Sequence, residues 1–144
     1  MASKLKITPS LDGMTYIYNV SSHVGDGQAC ANHYDDVQLV QFLLRQLILK
    51  AAASTKIQTL PQPSGVFDVV TAYWIYNVQN ASPKFFITDG KISPAKSSAT
   101  YGEGRFWSIV ALNLMYKRAN PSEFDKLHLN VALGPSLRSS LSVG

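Results

Sequence analysis

Apolar and polar side chains alternate over residues 14–20, with Met14, Tyr16, Tyr18 and Val20 on one side and Thr15, Ile17 and Asn19 on the other. A period of two predicts a strand. Asp12-Gly13 ahead of it is a turn pair, and residues 5–8 supply the other arm of a hairpin. A glycine-bearing loop follows over residues 24–29, and then the period changes. Val37, Val40, Leu44, Leu47 and Ile48 recur at helical spacing from Asp35 onward. Asn32 and Asp35 can cap this helix, and Arg45 and Lys50 suit its later turns, where cations complement the dipole. Phe42 and Leu43 fall outside the stripe, which implies that more than one side of the helix is covered.

Pro61 and Pro63 interrupt helix within a connection over residues 54–64. Asp68 then caps a second helix predicted to run to Gln79, with Thr71, Trp74, Ile75 and Val78 facing inward and Phe67 packing from before the cap. Ser82-Pro83 ends it and Asp89-Gly90 makes a turn. A polar stretch, residues 93–104, precedes a third helix predicted over 105–118. Phe106, Trp107, Ile109, Val110, Leu112, Leu114 and Met115 leave that helix apolar nearly all round, so it belongs at the centre of the core or against a partner. Asn120-Pro121 closes it. Beyond that, Leu127, Leu129, Val131 and Leu133 alternate with His128, Asn130 and Ala132, which predicts a strand stopped by Gly134-Pro135. The serine-rich residues 136–144 are expected as a loose tail. The predicted fold class is α+β: mainly α with small β, three helices flanked by N- and C-terminal strands that share a sheet. Its parts are a hairpin extension (1–23), a helical domain (24–118) and a C-terminal strand and tail (119–144), together a single compact domain.

At 144 residues the chain is long enough to bury a core without staples, and 46% hydrophobic residues argue against disorder. Charged residues make up only 15%, against about 25% in ordinary domains, so the surface is polar but weakly charged. The 13 basic residues exceed the 9 acidic ones by four and are scattered along the chain, which points away from nucleic acid. The nearest thing to a basic patch, from Lys84 to Arg105, also contains Asp89 and Glu103. Apolar runs are too short to span a membrane. The basic start has no apolar stretch behind it, so no classical secretory signal is read. Synthesis in the cytoplasm is expected, with delivery to the periplasm or cell wall by a non-classical route as one outcome. One cysteine, Cys30, excludes an internal disulfide.

Catalytic sets are thin. Glycoside hydrolysis normally uses two carboxylates. Glu103 and Glu123 are the two glutamates, and Glu103, in Tyr-Gly-Glu-Gly-Arg, reads as a solvated loop residue. Cys30 and His33 can be written as thiol and base, or with His23, Asp26 and Asp35 as metal ligands, but no His-x-x-x-His or His-Glu pairing supports either. A non-enzymatic protein without cofactor or metal is expected.

Three segments carry a resemblance. They are Asn32-His33-Tyr34-Asp35-Asp36-Val37-Gln38-Leu39-Val40-Gln41-Phe42-Leu43-Leu44, then Gly65-Val66-Phe67-Asp68-Val69-Val70-Thr71 with Trp74-Ile75 and Val78-Gln79, then Asp89-Gly90-Lys91-Ile92-Ser93-Pro94. In this order, over residues 24–116, they resemble the peptidoglycan-binding-like domain family, three-helix modules found beside cell-wall hydrolases. Departures are Asp68 for the family's usual Gly, Ser64 for Asp, and Trp74 for a small residue. The resemblance implies a three-helix core and a non-catalytic module that recognises peptidoglycan, through its glycan or stem peptide, in a phage or bacterial secretion or injection system. Gly65 and Gly90 are expected at turns, and Val40, Leu44, Phe67, Ile75 and Val78 in the core. Gln41 and Gln79 are expected to satisfy loop backbone rather than a ligand.

Carbohydrate and stem-peptide ligands are held by aromatic faces with charged or amide groups. Tyr73, Tyr76, Tyr101, Arg105 and Trp107 are the residues expected to border a groove between the second and third helices. Arg105 is expected at the start of the third helix, holding a carboxylate. The competing expectation buries Tyr73 and Trp107 in the core. The alternative function is a structural or adaptor protein that contacts a protein partner, or itself, through helix 3 or the terminal strands.

Overall fold

The computed structural model describes residues 1–51, 59–82, 86–102 and 104–143. Strands β1 (Ser3–Leu11) and β2 (Met14–Asn19) pair antiparallel. Their turn is Asp12-Gly13, with φ of 52° and 79°, the pair of positive angles that matches the twist of a hairpin. Two short pieces of ladder follow the same logic on a smaller scale. β3 (Val24–Gly25) pairs with β4 (Lys91–Ile92), and β5 (Thr100–Gly102) with β6 (Arg105–Phe106), both antiparallel.

Helix α1 spans Tyr34–Ala51. Every residue from 35 to 44 is buried, so this part of the helix is enclosed on all sides, as Phe42 and Leu43 outside the stripe imply. It packs against α2 (Val69–Ala81), α3 (Ser108–Ala119), α4 (Pro135–Leu141) and β3. Near its start, Asp36 is fully buried. Its carboxylate accepts from the backbone N–H and hydroxyl of Ser21 and of Ser22, which holds the end of the hairpin against the helix. Helix α3 buries Ser108 through Leu114 and Tyr116, the central placement its all-round apolarity demands.

Helix α2 is written in residues that suit strands better, including three Val, two Tyr, Thr, Trp and Ile. Its start is set by Asp68, whose carboxylate accepts from Thr71 N at 2.8 Å and Thr71 Oγ1 at 2.6 Å. Removing that cap by Asp68→Ala is expected to lower stability by about 1 kcal/mol, and Asp68→Asn by less. Urea unfolding of the two variants beside the parent measures this. A pair of unchanged midpoints would show that packing alone sets the helix start.

One arrangement occurs twice. The Gln41 amide, on α1, accepts from Gly65 N at 2.9 Å and donates to Val66 O at 2.9 Å and to Thr71 Oγ1 at 3.0 Å. Gln79, on α2, accepts from Gly90 N at 2.8 Å and donates to Lys91 O at 2.9 Å and to Ser108 Oγ at 3.0 Å. In each case a buried glutamine on one helix holds a turn whose glycine has positive φ, 80° at Gly65 and 76° at Gly90, and reaches a hydroxyl in the first turn of the next helix. Other amides work in the same way. Asn113 takes both peptide groups of Tyr18, Asn19 both of Ala95, and Asn32 both of Gly25. Backbone that lacks a ladder partner is satisfied by side-chain amides instead, as burial requires.

The chain is α+β and mainly helical, with 43% of the described residues in helix and 18% in strand. Three helices do not account for it. Among the described residues there are five, four of them of seven residues or more. The expected C-terminal strand is a 3-10 helix over Phe124–Leu129, and the expected tail is α4. Alternation misleads here because Leu127 and Leu133 are buried whereas Leu129 and Val131 are 63% and 90% exposed, so the four never share a face. Phe124 and Leu127 instead share the i, i+3 spacing of a 3-10 turn. Leu133, Leu137 and Leu141 recur every fourth residue and are buried, with Pro135 in the first turn of α4, where its missing N–H costs nothing. Gln38 ties this end to α1 by accepting from Gly134 N at 3.0 Å and donating to Pro63 O at 2.9 Å. Among the described residues no sheet joins the two terminal segments.

Candidate functional site

The residues expected around one groove are distributed over separate surfaces. Tyr73 and Tyr76 lie on the outer face of α2, 57% and 62% exposed, so Tyr73 is not core. The Tyr73 ring meets the edge of Trp74 with centroids 5.2 Å apart. Asn77 and Asn80 donate back to the carbonyls of Tyr73 and Tyr76, which braces the face that carries the two rings. Val69 and Val66, 81% and 64% exposed, extend the same surface toward the start of the helix. From Val69 to Ala81 the helix carries no charged residue.

Arg105 does not start α3. It is in β6, exposed, paired with Gly102 around a tight reversal in which Gly104 has φ of 77°. The helix begins three residues later, because the β5–β6 ladder takes residues 105–106 before any helical bond can form. Tyr101 is in β5, and its side chain lies outside the described residues, as does Glu103. Residues 54–58 of the predicted connection and Pro83 and Lys84 also lie outside them.

Trp107, half-buried, lines a cavity of about 420 Å³. Its other walls come from two directions. His23 arrives with β3, whereas Asp89, Lys91, Ser93, Pro94 and Lys96 come from the segment around β4. Ile87 and Ser108 complete it. The β3–β4 ladder brings His23 to this place, and His23 Nδ1 lies 2.9 Å from Ser93 Oγ. Gly25 makes the approach possible: a Cβ there would stand 2.7 Å from Lys91 Cβ and 2.9 Å from Gly90 O. The Asp89 carboxylate is engaged by Lys91 N at 3.2 Å and Gln79 Nε2 at 3.4 Å. The cavity therefore offers an indole, an imidazole, two lysines, a carboxylate and two hydroxyls. The basic stretch from Lys84 to Arg105 was its signal in the sequence. His23, 68 residues from Lys91 along the chain, had none.

A second concavity, of about 480 Å³, is apolar. Leu47 and Ile48 of α1, Trp74, Val78 and Ala81 of α2, Phe86, and Met115 of α3 line it. Trp74 borders this inter-helix groove without filling it, and its indole N–H donates to Thr59 O at 3.0 Å.

Of the groups written as thiol, base or metal ligand, the imidazoles of His23 and His33 each have a hydroxyl neighbour. His33 Nδ1 is 3.2 Å from Ser22 Oγ. Burial pushes the Cys30 thiol up from its ordinary pKa, and the opposing charge of Lys91 does not cancel this. A raised thiol has less of the thiolate that a nucleophile needs. No helix among the described residues is long and apolar enough to cross a membrane.

No family model, curated protein or solved structure matches this chain.

Proposed function

We propose that this protein is a non-catalytic recognition module for peptidoglycan, serving a phage or bacterial secretion or injection system. The observation that carries the reading is the pair of exposed tyrosines on the uncharged face of α2. Sugar rings pack their apolar faces on aromatic side chains, with a few polar groups nearby to fix their orientation. The glutamine-held turns at Gly65 and Gly90 support it from another side, since they use the same residues that carry the resemblance to the peptidoglycan-binding-like family. Arg105, exposed in β6, offers a cation for a stem-peptide carboxylate away from any helix end.

Co-sedimentation with insoluble sacculi at low and moderate salt tests the reading. Binding that survives moderate salt and falls at least about tenfold in Tyr73→Ser/Tyr76→Ser is the expected result, with Arg105→Ala weakening it at an unchanged thermal midpoint. Absence of binding at either salt overturns it.

An adaptor function is the second reading. Val69, Tyr73 and Tyr76 make an exposed apolar and aromatic stripe on a helix without charged residues, the composition of a protein interface centre. The helix 3 and C-terminal strand routes lose ground, because α3 is largely buried by its own chain and the C-terminal segment is helical.

A further inference from the structure

We infer that the cavity between β3, β4 and the start of α3 is a binding site for a monosaccharide that carries a carboxylate. Its volume of about 420 Å³ lies in the range of small-ligand pockets. The walls select the chemistry. Trp107 and Pro94 offer apolar surface to a ring, while His23, Ser93 and Ser108, bonded as the His23–Ser93 and Gln79–Ser108 pairs, keep further hydrogen-bonding capacity for ring hydroxyls. Lys91 and Lys96 outnumber Asp89, so the site favours an anion.

Asp89, whose Oδ1 accepts from the Lys91 backbone and the Gln79 amide, offsets only one of the two lysine charges and leaves the site a net cation. Among the described residues neither lysine is in an ion pair. Both lysines also stand on held backbone. Gln79 accepts from Gly90 N and donates to Lys91 O, and Asn19 takes both peptide groups of Ala95, the neighbour of Lys96. A site whose supports are already ordered loses less entropy on binding. This inference uses residues distinct from Tyr73 and Tyr76 and does not depend on recognition of sacculi.

The experiment is an amide and indole NMR titration of the full chain with glucuronate, with glucose, acetate and inorganic phosphate as the comparison probes. Glucuronate is expected to give saturable shifts at Gly90, Lys91, Ser93, Ser108 and the Trp107 indole, with glucose at least about tenfold weaker. Lys91→Met and Lys96→Met are each expected to weaken glucuronate by about tenfold or more. Lys96 is exposed, so its replacement leaves the β3–β4 ladder in place and keeps the test valid if Lys91→Met misfolds. Equal response to glucose and glucuronate, phosphate or acetate matching glucuronate, or unchanged binding in Lys96→Met would each overturn the inference. Sacculus binding through the tyrosines without a glucuronate response would remove this site and leave the proposed function. A glucuronate response without sacculus binding would do the reverse.

Discussion

Gln41→Leu is expected to destabilise the protein by about 3 kcal/mol, and to lower its thermal midpoint by about 10 °C. Gln41 is fully buried, and its amide is bonded to Gly65 N, Val66 O and Thr71 Oγ1. Leucine nearly matches its volume and adds apolar surface, so the loss is not one of packing. The cost arises because the Gly65 N–H, itself in a buried residue, is left without an acceptor. Val66 O and the Thr71 hydroxyl lose a donor at the same time. Each such unmade bond costs about 1–3 kcal/mol, more than a formed bond contributes. Gln46→Leu, on a half-exposed turn of the same helix, is the control and should stay within about 0.5 kcal/mol of the parent. Should Gln41→Leu unfold at the same urea concentration as the parent, the amide would not be what holds the turn to α1 and α2.

Alkaline pH should unfold the protein steeply. Tyr18 and Tyr116 are 0% and 3% exposed, in an aromatic cluster with Phe42, Phe124 and Tyr16. Burial pushes the Tyr116 phenol up to about 12, with the Glu123 charge adding to it. Burial likewise raises Tyr18, with the Asp125 charge adding to it and hydrogen bonding opposing. Tyr16 is raised too, first by burial and then by its bond to Asp125, but its ring is partly solvated and is left out of the energy. Because the folded values lie above the ordinary 10.0, the folded state keeps protons that the unfolded chain releases. The stability they confer is complete below that value and is lost as pH rises from it toward the folded values. Tyr116 gives a slope approaching about 1.4 kcal/mol per pH unit between about 10 and 12, and Tyr18 adds to it. Urea midpoints at successive pH values above about 10 measure it, and Tyr116→Phe should make the dependence shallower. A midpoint that does not move over this range would mean that these hydroxyls reach solvent in the folded state.

Much of the fold is written locally, and there the sequence suffices. Asp12-Gly13 accepts positive φ at both positions, so the hairpin turn is decided by two adjacent residues. Asp68 and Thr71 are three apart, close enough to cap α2 without help from the rest of the chain. The enclosure of α1 follows from apolar residues on several of its sides. Gln41 and Gln79 were legible as holders of backbone, because an amide inside an apolar stripe must find polar partners within the protein.

Other features depend on contacts that no local pattern encodes. The alternation of Leu127, Leu129, Val131 and Leu133 satisfies a strand template equally well, and only the packing of Phe124, Leu127, Leu133 and Leu137 into the core selects helix. Arg105 belongs to β6 because Gly102 pairs with it, a choice made by a two-stranded ladder rather than by helix propensity. The split of the expected groove into an exposed tyrosine face and a separate Trp107 cavity has the same origin. Residues 73 and 76 share a helix face by their spacing alone. His23 meets Lys91 and Trp107 only because β3 lies beside β4 at Gly25, where a side chain would have kept the two backbones apart. Local dihedral preference and periodicity thus determined the elements of this protein, whereas mutual burial and backbone pairing across long separations decided which side chains stand together.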